Sequence, residues 1–207
     1  MDLIELKKEQ LKLAPKIIIK DSFHKIKTIG GTACIQINNQ ILASVVVCEY
    51  PSMTILEKQT YLLNNPLPYT PGFIAYREMP AIIEAYNQLE IEPGVLLVKG
   101  SGIIHSRGLG VASHTGLALN KATIGVTDKL MMGKVQSGNV MINGNISGFE
   151  IKTREHAKPI YVSPGHLISL GSVLNIIPKT IIYPHKMPEP IHLAIKVARK
   201  AGTNLKD

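Results

Sequence analysis

The sequence is poor in cysteine and aromatic residues, with two cysteines, three phenylalanines and no tryptophan. Both cysteines stand outside any CxxC or Cys/His spacing, which argues against a zinc finger or a disulfide-stapled domain.

The apolar runs of the sequence are also short. ILASVVVC, at positions 41–48, cannot cross a bilayer, because a membrane helix needs roughly 20 residues. The sequence therefore predicts no membrane partner.

The N-terminal segment MDLIELKKEQLKLA has charges spread along it and lacks a continuous apolar stretch. A secretory signal needs such a stretch between its basic start and its cleavage site. The segment therefore does not resemble a signal, and we expect a cytoplasmic protein.

Acidic residues are few relative to basic ones, with 15 Asp and Glu against 23 Lys and Arg, which gives a formal charge of +8. A basic protein attracts polyanions such as nucleic acid, because binding releases counterions from the phosphates. The alternative is that the lysines only keep the surface solvated.

The 207 residues suffice for one sizeable core, so we expect a single domain over residues 1–207.

The order of the predicted elements indicates an α/β fold. A first helix over about residues 2–13 precedes a β-hairpin, in which KTIGGTACIQI and QILASVVVCEY flank a turn at positions 38–39. The register of such a two-residue turn places Cys34 opposite Ala43 and away from Cys48. A disulfide between the cysteines is therefore not expected.

The rest of the chain alternates strands and helices. A third strand begins in SMTILEKQ, a helix covers REMPAIIEAYNQLE, and VLLV is typical of a buried parallel strand. The helix LGVASHTGLAL and the strand ATIGVT complete a β-α-β unit, and residues 133–162 add a hairpin before the strand PIYVS. SPGHLISLGSVLNII opens with a cap-and-proline signal, which predicts that the next helix begins at SPGH, and PEPIHLAIKVARKA predicts a last one. This order favours a mixed sheet with helices on both faces. A ribonuclease H-like architecture fits it well, but the pattern alone does not separate that architecture from other α/β folds.

Four strings are more specific than this pattern: YTPGFIAYRE at 69–78, GSGIIHSRGLGVASHTGL at 100–117, TIGVTDKLMMG at 123–133 and YVSPGHLISL at 161–170. In this order and spacing the chain resembles the endonuclease V family, nearly from end to end. The resemblance implies a ribonuclease H-like fold and an enzyme that uses Mg²⁺ to cut a strand near deoxyinosine in DNA or inosine in RNA. This chemistry needs carboxylates around the metal, which activates water and offsets charge on the leaving oxygen.

The positions that hold the metal in the family are largely substituted here. The resemblance places Thr32 and Lys99 where the family has aspartates, keeps the family glutamate as Glu78, and puts Ile195 on a further acidic or histidine position. One carboxylate is too little to hold Mg²⁺ tightly. We therefore expect no cofactor and lost or strongly reduced cleavage, with Mg²⁺ bound only if activity is retained. We also expect Lys99 to form a salt bridge with Glu78 that closes the former metal site.

Two alternatives remain at this point. Asp128 adds a carboxylate that the family string TIGVAK lacks, and with Glu78 it would make a slow metal-dependent endonuclease. A structural or protein-interaction module without nucleic-acid binding is the other alternative. Whether the chain is an enzyme is thus left open by the sequence.

The resemblance also implies residues that contact nucleic acid. Tyr69 and Pro71 lie in PYTP, which matches the family's wedge PYIP, and a tyrosine ring can stack on a base. The alternative is a proline-stiffened loop with a half-buried tyrosine. Gly100, Ser101 and Gly102 could bring backbone N–H groups to a base or a phosphate, although glycines after a strand also form simple tight turns.

Three further residues extend this set. His105 and Arg107 match the family string HPR, so His105 holds an active-site position, with a phosphate contact and a structural role as the alternatives. His166 in SPGH is predicted at a helix N-terminus, where free N–H groups attract anions; a cap contact is the other option. The expected partner is nucleic acid, either DNA or RNA, including strands that contain inosine.

Overall fold

The computed structural model describes residues 2–205, and within them five α-helices and nine strands follow in the expected order. The helices are α1 (Leu3–Leu13), α2 (Ile74–Asn87), α3 (Val111–Leu119), α4 (Leu170–Lys179) and α5 (Glu189–Asn204). The strands are β1 (Thr28–Ile37), β2 (Gln40–Glu49), β3 (Ile55–Asn64), β4 (Val95–Lys99), β5 (Thr123–Thr127), β6 (Lys134–Gln136), β7 (Asn139–Ile142), β8 (Asn145–Ile151) and β9 (Ile160–His166).

The nine strands of the described residues form one sheet, in the order β3-β2-β1-β4-β5-β9-β8-β7-β6. β4 lies parallel to both β1 and β5, and the remaining neighbours are antiparallel. The predicted mixed sheet is therefore confirmed. Of the helices within residues 2–205, none is both long and apolar enough to span a membrane.

The register of the β1–β2 hairpin agrees with the prediction. Cys34 lies opposite Ala43, Cys48 lies opposite Ile29, and both thiols are free. Asn38 adopts a φ of 50° in the turn, a left-handed conformation that asparagine tolerates better than most residues. The turn residues alone thus set the pairing of these two strands.

Helices cover both faces of the sheet, as predicted. On one face, α4 and α5 pack against a core that includes Ile29 and Leu97, while α2 and α3 cover the other face over Leu96 and Val45. α5 approaches β1 so closely that a Cβ at Gly31 would lie 2.1 Å from a backbone carbon of α5. A glycine there is required by the packing of α5 on the sheet.

The middle of β1 faces α2. Side chains alternate along a strand, so Thr32 and Cys34 point away from the α5 face on which Ile29 and Ala33 pack. The Cys34 Sγ lies 4.0 Å from the carbonyl oxygen of Glu78 on α2. The fold therefore brings Glu78 over the strand that carries Thr32.

The predicted start of α4 is wrong. Residues 163–166 belong to β9, and α4 begins only at Leu170, where the Ser169 side chain accepts a hydrogen bond from the Ser172 N–H. Pro164 is tolerated in β9 because it lies opposite Ile124, next to a register shift between β5 and β9. Proline in a sheet is found mainly at edges and bulges.

Candidate nucleic-acid-binding site

A cavity of about 220 Å³ opens where β4 and β5 end. Ligands of open α/β sheets bind beyond the carboxyl ends of the strands, where parallel neighbours leave room between their loops. α2, the loop after β4 and the loop after β5 form its walls together with Gln10 of α1. Its ionisable side chains are Glu78, Lys99, His105, Asp128 and Lys129.

Glu78 projects from α2 into this cavity and is only partly exposed. Burial raises the pKa of its carboxyl to about 7, although Lys99 and Arg77 act in the opposite direction. The carboxyl is therefore partly neutral near pH 7. A neutral carboxyl is a poor ligand for a hard cation, which binds the ionised form.

Lys99 ends β4 and is exposed at the same cavity. Its ammonium lowers the pKa of Glu78, yet the two side chains are not within salt-bridge distance. The predicted salt bridge is therefore wrong. A salt bridge would require an ionised, half-buried Glu78 carboxylate beside Lys99. In such pairs the cost of removing the charges from water offsets their attraction.

Thr32 is fully buried in β1, and its hydroxyl has no hydrogen-bond partner among the described residues. It pairs with Val98, the residue before Lys99. A buried hydroxyl that lacks a partner costs roughly 1–3 kcal/mol. Thr32 therefore occupies its position at a cost in stability and supplies no charge to the site.

The loop that carries Tyr69 and Pro71 lies beside the cavity. Tyr69 is 65% exposed, so its ring is free to contact a ligand. Gly72 ends the loop with a φ of +79°, and a Cβ there would lie 2.8 Å from the Arg107 guanidinium. Glycine is needed for both reasons, and Gly72 itself lines the cavity.

Arg107 holds this loop from inside the protein. Its Nη2 donates to the Gly72 carbonyl at 2.6 Å, its Nε donates to the Gln10 side chain, and its guanidinium lies 4.5 Å from the Phe73 ring centroid. Gln10 Nε2 also donates to the Gly72 carbonyl at 3.1 Å. Arg107 therefore positions the loop with Tyr69, and its predicted contact with nucleic acid stays a prediction.

Gln10 is a site residue that the sequence analysis missed. It is fully buried, one helical turn after the buried Leu6 of α1. A glutamine on the buried stripe of an amphipathic helix is a signal of a polar partner across the interface, because buried amides require hydrogen bonds. The partner itself could not be read from the helix.

The loop after β4 does not present the predicted row of free amides. The N–H of Gly100 donates to the Val126 carbonyl at 3.0 Å, and the N–H of Gly102 donates to the Ser163 hydroxyl at 3.1 Å. The prediction that Gly100 and Gly102 offer N–H groups to a ligand is therefore wrong. Ser101, between them, lines the cavity.

His105 lines the cavity as a neutral group. Burial lowers its pKa from 6.5, with a contribution from Arg107. Its Nδ1 accepts a hydrogen bond from the Arg107 backbone N–H at 3.3 Å. The histidine thus fixes the turn that leads to Arg107 and contributes no fixed charge to the cavity near pH 7.

His166 ends β9 and α4 begins only at Leu170, so the predicted place of this histidine at a helix N-terminus is wrong. It is buried, and its Nδ1 accepts a hydrogen bond from the Ile18 N–H at 3.2 Å. Burial lowers the pKa of this histidine below its ordinary 6.5. Its role is to hold the segment after α1 against the sheet.

This contact predicts an acid-sensitive stability. Above pH 6.5 the side chain is neutral in both states; as the pH falls, the unfolded chain takes up a proton that folded His166 resists, so stability is lost. We expect the free energy of unfolding in urea to fall less between pH 7.5 and pH 5.5 in His166→Gln than in the natural protein. Equal losses would contradict this role.

The comparisons with known proteins match this geometry. The sequence profile described as Endonuclease V matches residues 11–196. The chain belongs to the endonuclease V family. Among its relatives, Endonuclease V of Dictyoglomus thermophilum is 34% identical over 200 residues, covering 93% of this chain and 87% of that protein. Endonuclease V of Rippkaea orientalis is 35% identical over 208 residues, covering 96% and 90%.

Solved endonuclease V structures share the fold over the whole chain, which confirms the ribonuclease H-like architecture. The structure from Bacillus subtilis is 28% identical with a TM-score of 0.90, and covers 100% of this chain and 94% of its own. Endonuclease V of Ciona intestinalis, solved with a 24mer DNA that contains an inosine followed by a ribo-adenosine, is 27% identical with a TM-score of 0.89 and covers 98% of both chains.

The residues of this endonuclease V homologue do not fit the Mg²⁺ ion that the family uses. Within residues 2–205, no three His, Cys, Asp or Glu side chains lie together as metal ligands. Thr32 and Lys99 offer no carboxylate. Asp128 is exposed and lines the cavity with Glu78, but no third His, Cys, Asp or Glu joins them as a metal ligand among the described residues.

Proposed function

We propose that this member of the endonuclease V family binds nucleic acid, including strands with inosine, and has lost metal-dependent cleavage. The observation that carries the proposal is the replacement at the end of β4: the exposed ammonium of Lys99 stands beside Glu78, whose pKa is raised by burial. Hydrolysis by the family requires hard oxygen ligands around a cation. A fixed ammonium at that position repels the cation instead.

Three features support binding. The cavity is open and largely apolar, the exposed Tyr69 lies on the loop beside it, and the chain carries a formal charge of +8. The Ciona intestinalis relative, which covers 98% of this chain, was solved with inosine-containing DNA. Pockets of this kind bind a planar base by burying its faces and use few polar groups to orient it.

We also propose that residues 1–207 form one domain and act in the cytoplasm. The strands from Thr28 to His166 share one sheet, and α1 is joined to α2 by the hydrogen bond from the Tyr76 hydroxyl to the Leu6 carbonyl. The cytoplasm is where a nucleic-acid partner would be met.

Equilibrium binding tests this function. Fluorescent DNA and RNA strands that differ only in one inosine are titrated with the protein, once with Mg²⁺ and once with chelator. The proposal predicts tighter binding to the inosine strand that is unchanged by chelator, with the strand intact. Absence of binding to every strand, or binding that chelator abolishes, would overturn it.

The loop tyrosine gives a quantitative prediction. Tyr69→Ala should weaken binding of the inosine strand roughly 5- to 150-fold, because stacking of a base on an aromatic ring contributes about 1–3 kcal/mol. Tyr183→Ala is the matched control, since Tyr183 is 84% exposed but lies outside the residues that line the cavity. If both variants bind like the natural protein, Tyr69 is only part of a rigid loop.

A further inference from the structure

Lys99 is an exposed cation at the cavity without an anionic partner. None of the salt bridges among residues 2–205 includes it. Its position is fixed only by β4, which pairs with β1 and β5 on its two sides. Lys99 itself pairs with Val126 of β5, which places its backbone at the cavity, and its flexible stem lets the ammonium reach a ligand there.

The other charged or titratable groups around the cavity leave the Lys99 ammonium unpaired. Arg107, the nearby guanidinium, is already bonded to Gln10 and Gly72. His105 is neutral near pH 7, since burial lowers its pKa. Glu78 lines the same cavity but lies outside salt-bridge distance of Lys99. Asp128 is exposed at the same cavity, and among the described residues neither it nor any other carboxylate forms an ion pair with Lys99.

We infer that Lys99 binds a backbone phosphate of the nucleic acid directly, as the cation of this site in place of a metal ion. The inference rests on the proposed function, which supplies the strand. The base then enters the apolar part of the cavity and the neighbouring phosphate meets the ammonium at the end of β4. A lysine ammonium is a compact point charge that suits a single phosphate.

This assignment has two measurable consequences. Binding needs no divalent cation, because the neutralising charge belongs to the chain. In addition, loss of one phosphate contact lowers the slope of log Kd against log salt by about 0.7 on a single strand.

The experiment measures Kd for one inosine-containing single strand between 50 and 300 mM KCl, in chelator, a range over which phosphate contacts weaken by on the order of tenfold or more. The natural protein is compared with Lys99→Gln and with Lys58→Gln. Lys58 is exposed on β3, at the edge of the sheet, and loses the same charge. We expect weaker binding and a lower salt slope for Lys99→Gln, and natural values for Lys58→Gln.

Acetylation gives a second readout that needs no variant. With the strand bound, Lys99 of the natural protein should lose its reactivity toward an acetylating reagent, while Lys58 keeps it, as read by mass spectrometry. A natural protein that binds the strand while Lys99 stays reactive, or a Lys99→Gln variant with the natural slope, would overturn the phosphate contact alone. A natural protein that binds no strand would overturn the proposed function itself.

Discussion

Replacing Thr32 and Lys99 together by aspartate is expected to produce a metal-dependent nuclease. The two residues lie on paired strands, since Thr32 is opposite Val98 in the β1–β4 register, and Glu78 lies above β1 on α2. The double variant would bring three carboxylates to one end of β4. A bound cation supplies several kcal/mol of transition-state stabilisation, which corresponds to a rate increase on the order of a hundredfold or more.

The measurement is cleavage of an inosine-containing strand with Mg²⁺ or Mn²⁺. Lys58→Asp with Thr203→Asp carries the same change in charge at exposed positions and should stay inactive. Adding Glu78→Ala to the double variant should abolish the gained activity. Since Thr32 is fully buried, thermal unfolding must first show that the variant folds. A folded double variant that never cuts would show that the loss extends beyond the two ligands.

Arg107→Met is expected to lower the free energy of unfolding by roughly 3 kcal/mol, because hydrogen bonds to a charged group contribute about 1.5–3 kcal/mol each. The change removes the bonds to Gln10 and Gly72 and the contact with Phe73. It also leaves the buried Oε1 of Gln10 without its donor, while the Gln10 Nε2 keeps its bond to the Gly72 carbonyl. Urea unfolding monitored by circular dichroism gives the value.

Two comparisons make this result specific. Arg107→Lys should restore little, because all donors of an ammonium project from one nitrogen, whereas the guanidinium reaches Gln10 from Nε and Gly72 from Nη2. Arg199→Met, at an exposed position of α5, should change stability by less than about 0.5 kcal/mol. In chelator, Arg107→Met should also bind the inosine strand more weakly, since the loop with Tyr69 loses its support. Equal stabilities for the Arg107 and Arg199 variants would refute the internal role.

Local signals determined which parts of the fold could be predicted. The β1–β2 register followed from a two-residue turn, which depends only on its own residues. The prediction that a helix begins at SPGH was wrong. Serine followed by proline is a helix-start signal, but here Pro164 lies opposite Ile124 of β5, next to a register shift. Long-range strand pairing decided the structure there, and a local pattern does not contain that information.

The functional site was likewise predictable only in part. The resemblance to the family identified Glu78 and Lys99, which do line one cavity. The resemblance could not show that Glu78 and Lys99 form no salt bridge. The burial that raises the pKa of Glu78 is a property of the folded structure. Nor could the resemblance find the bond between Arg107 and Gln10, which are 97 residues apart in the chain. Such contacts depend on how α1 packs against the rest of the protein, and a sequence motif carries no information about that packing.

The most direct test of the central claim is single-turnover cleavage by the natural protein. The protein, in excess over an inosine-containing strand, is incubated with Mg²⁺ or with Mn²⁺ beside a Glu78→Ala variant, and the products are resolved to the nucleotide. The account predicts a bound but intact strand, with no product that depends on Glu78. A product formed by the natural protein and lost in Glu78→Ala would show that the site still holds a catalytic metal despite Thr32 and Lys99.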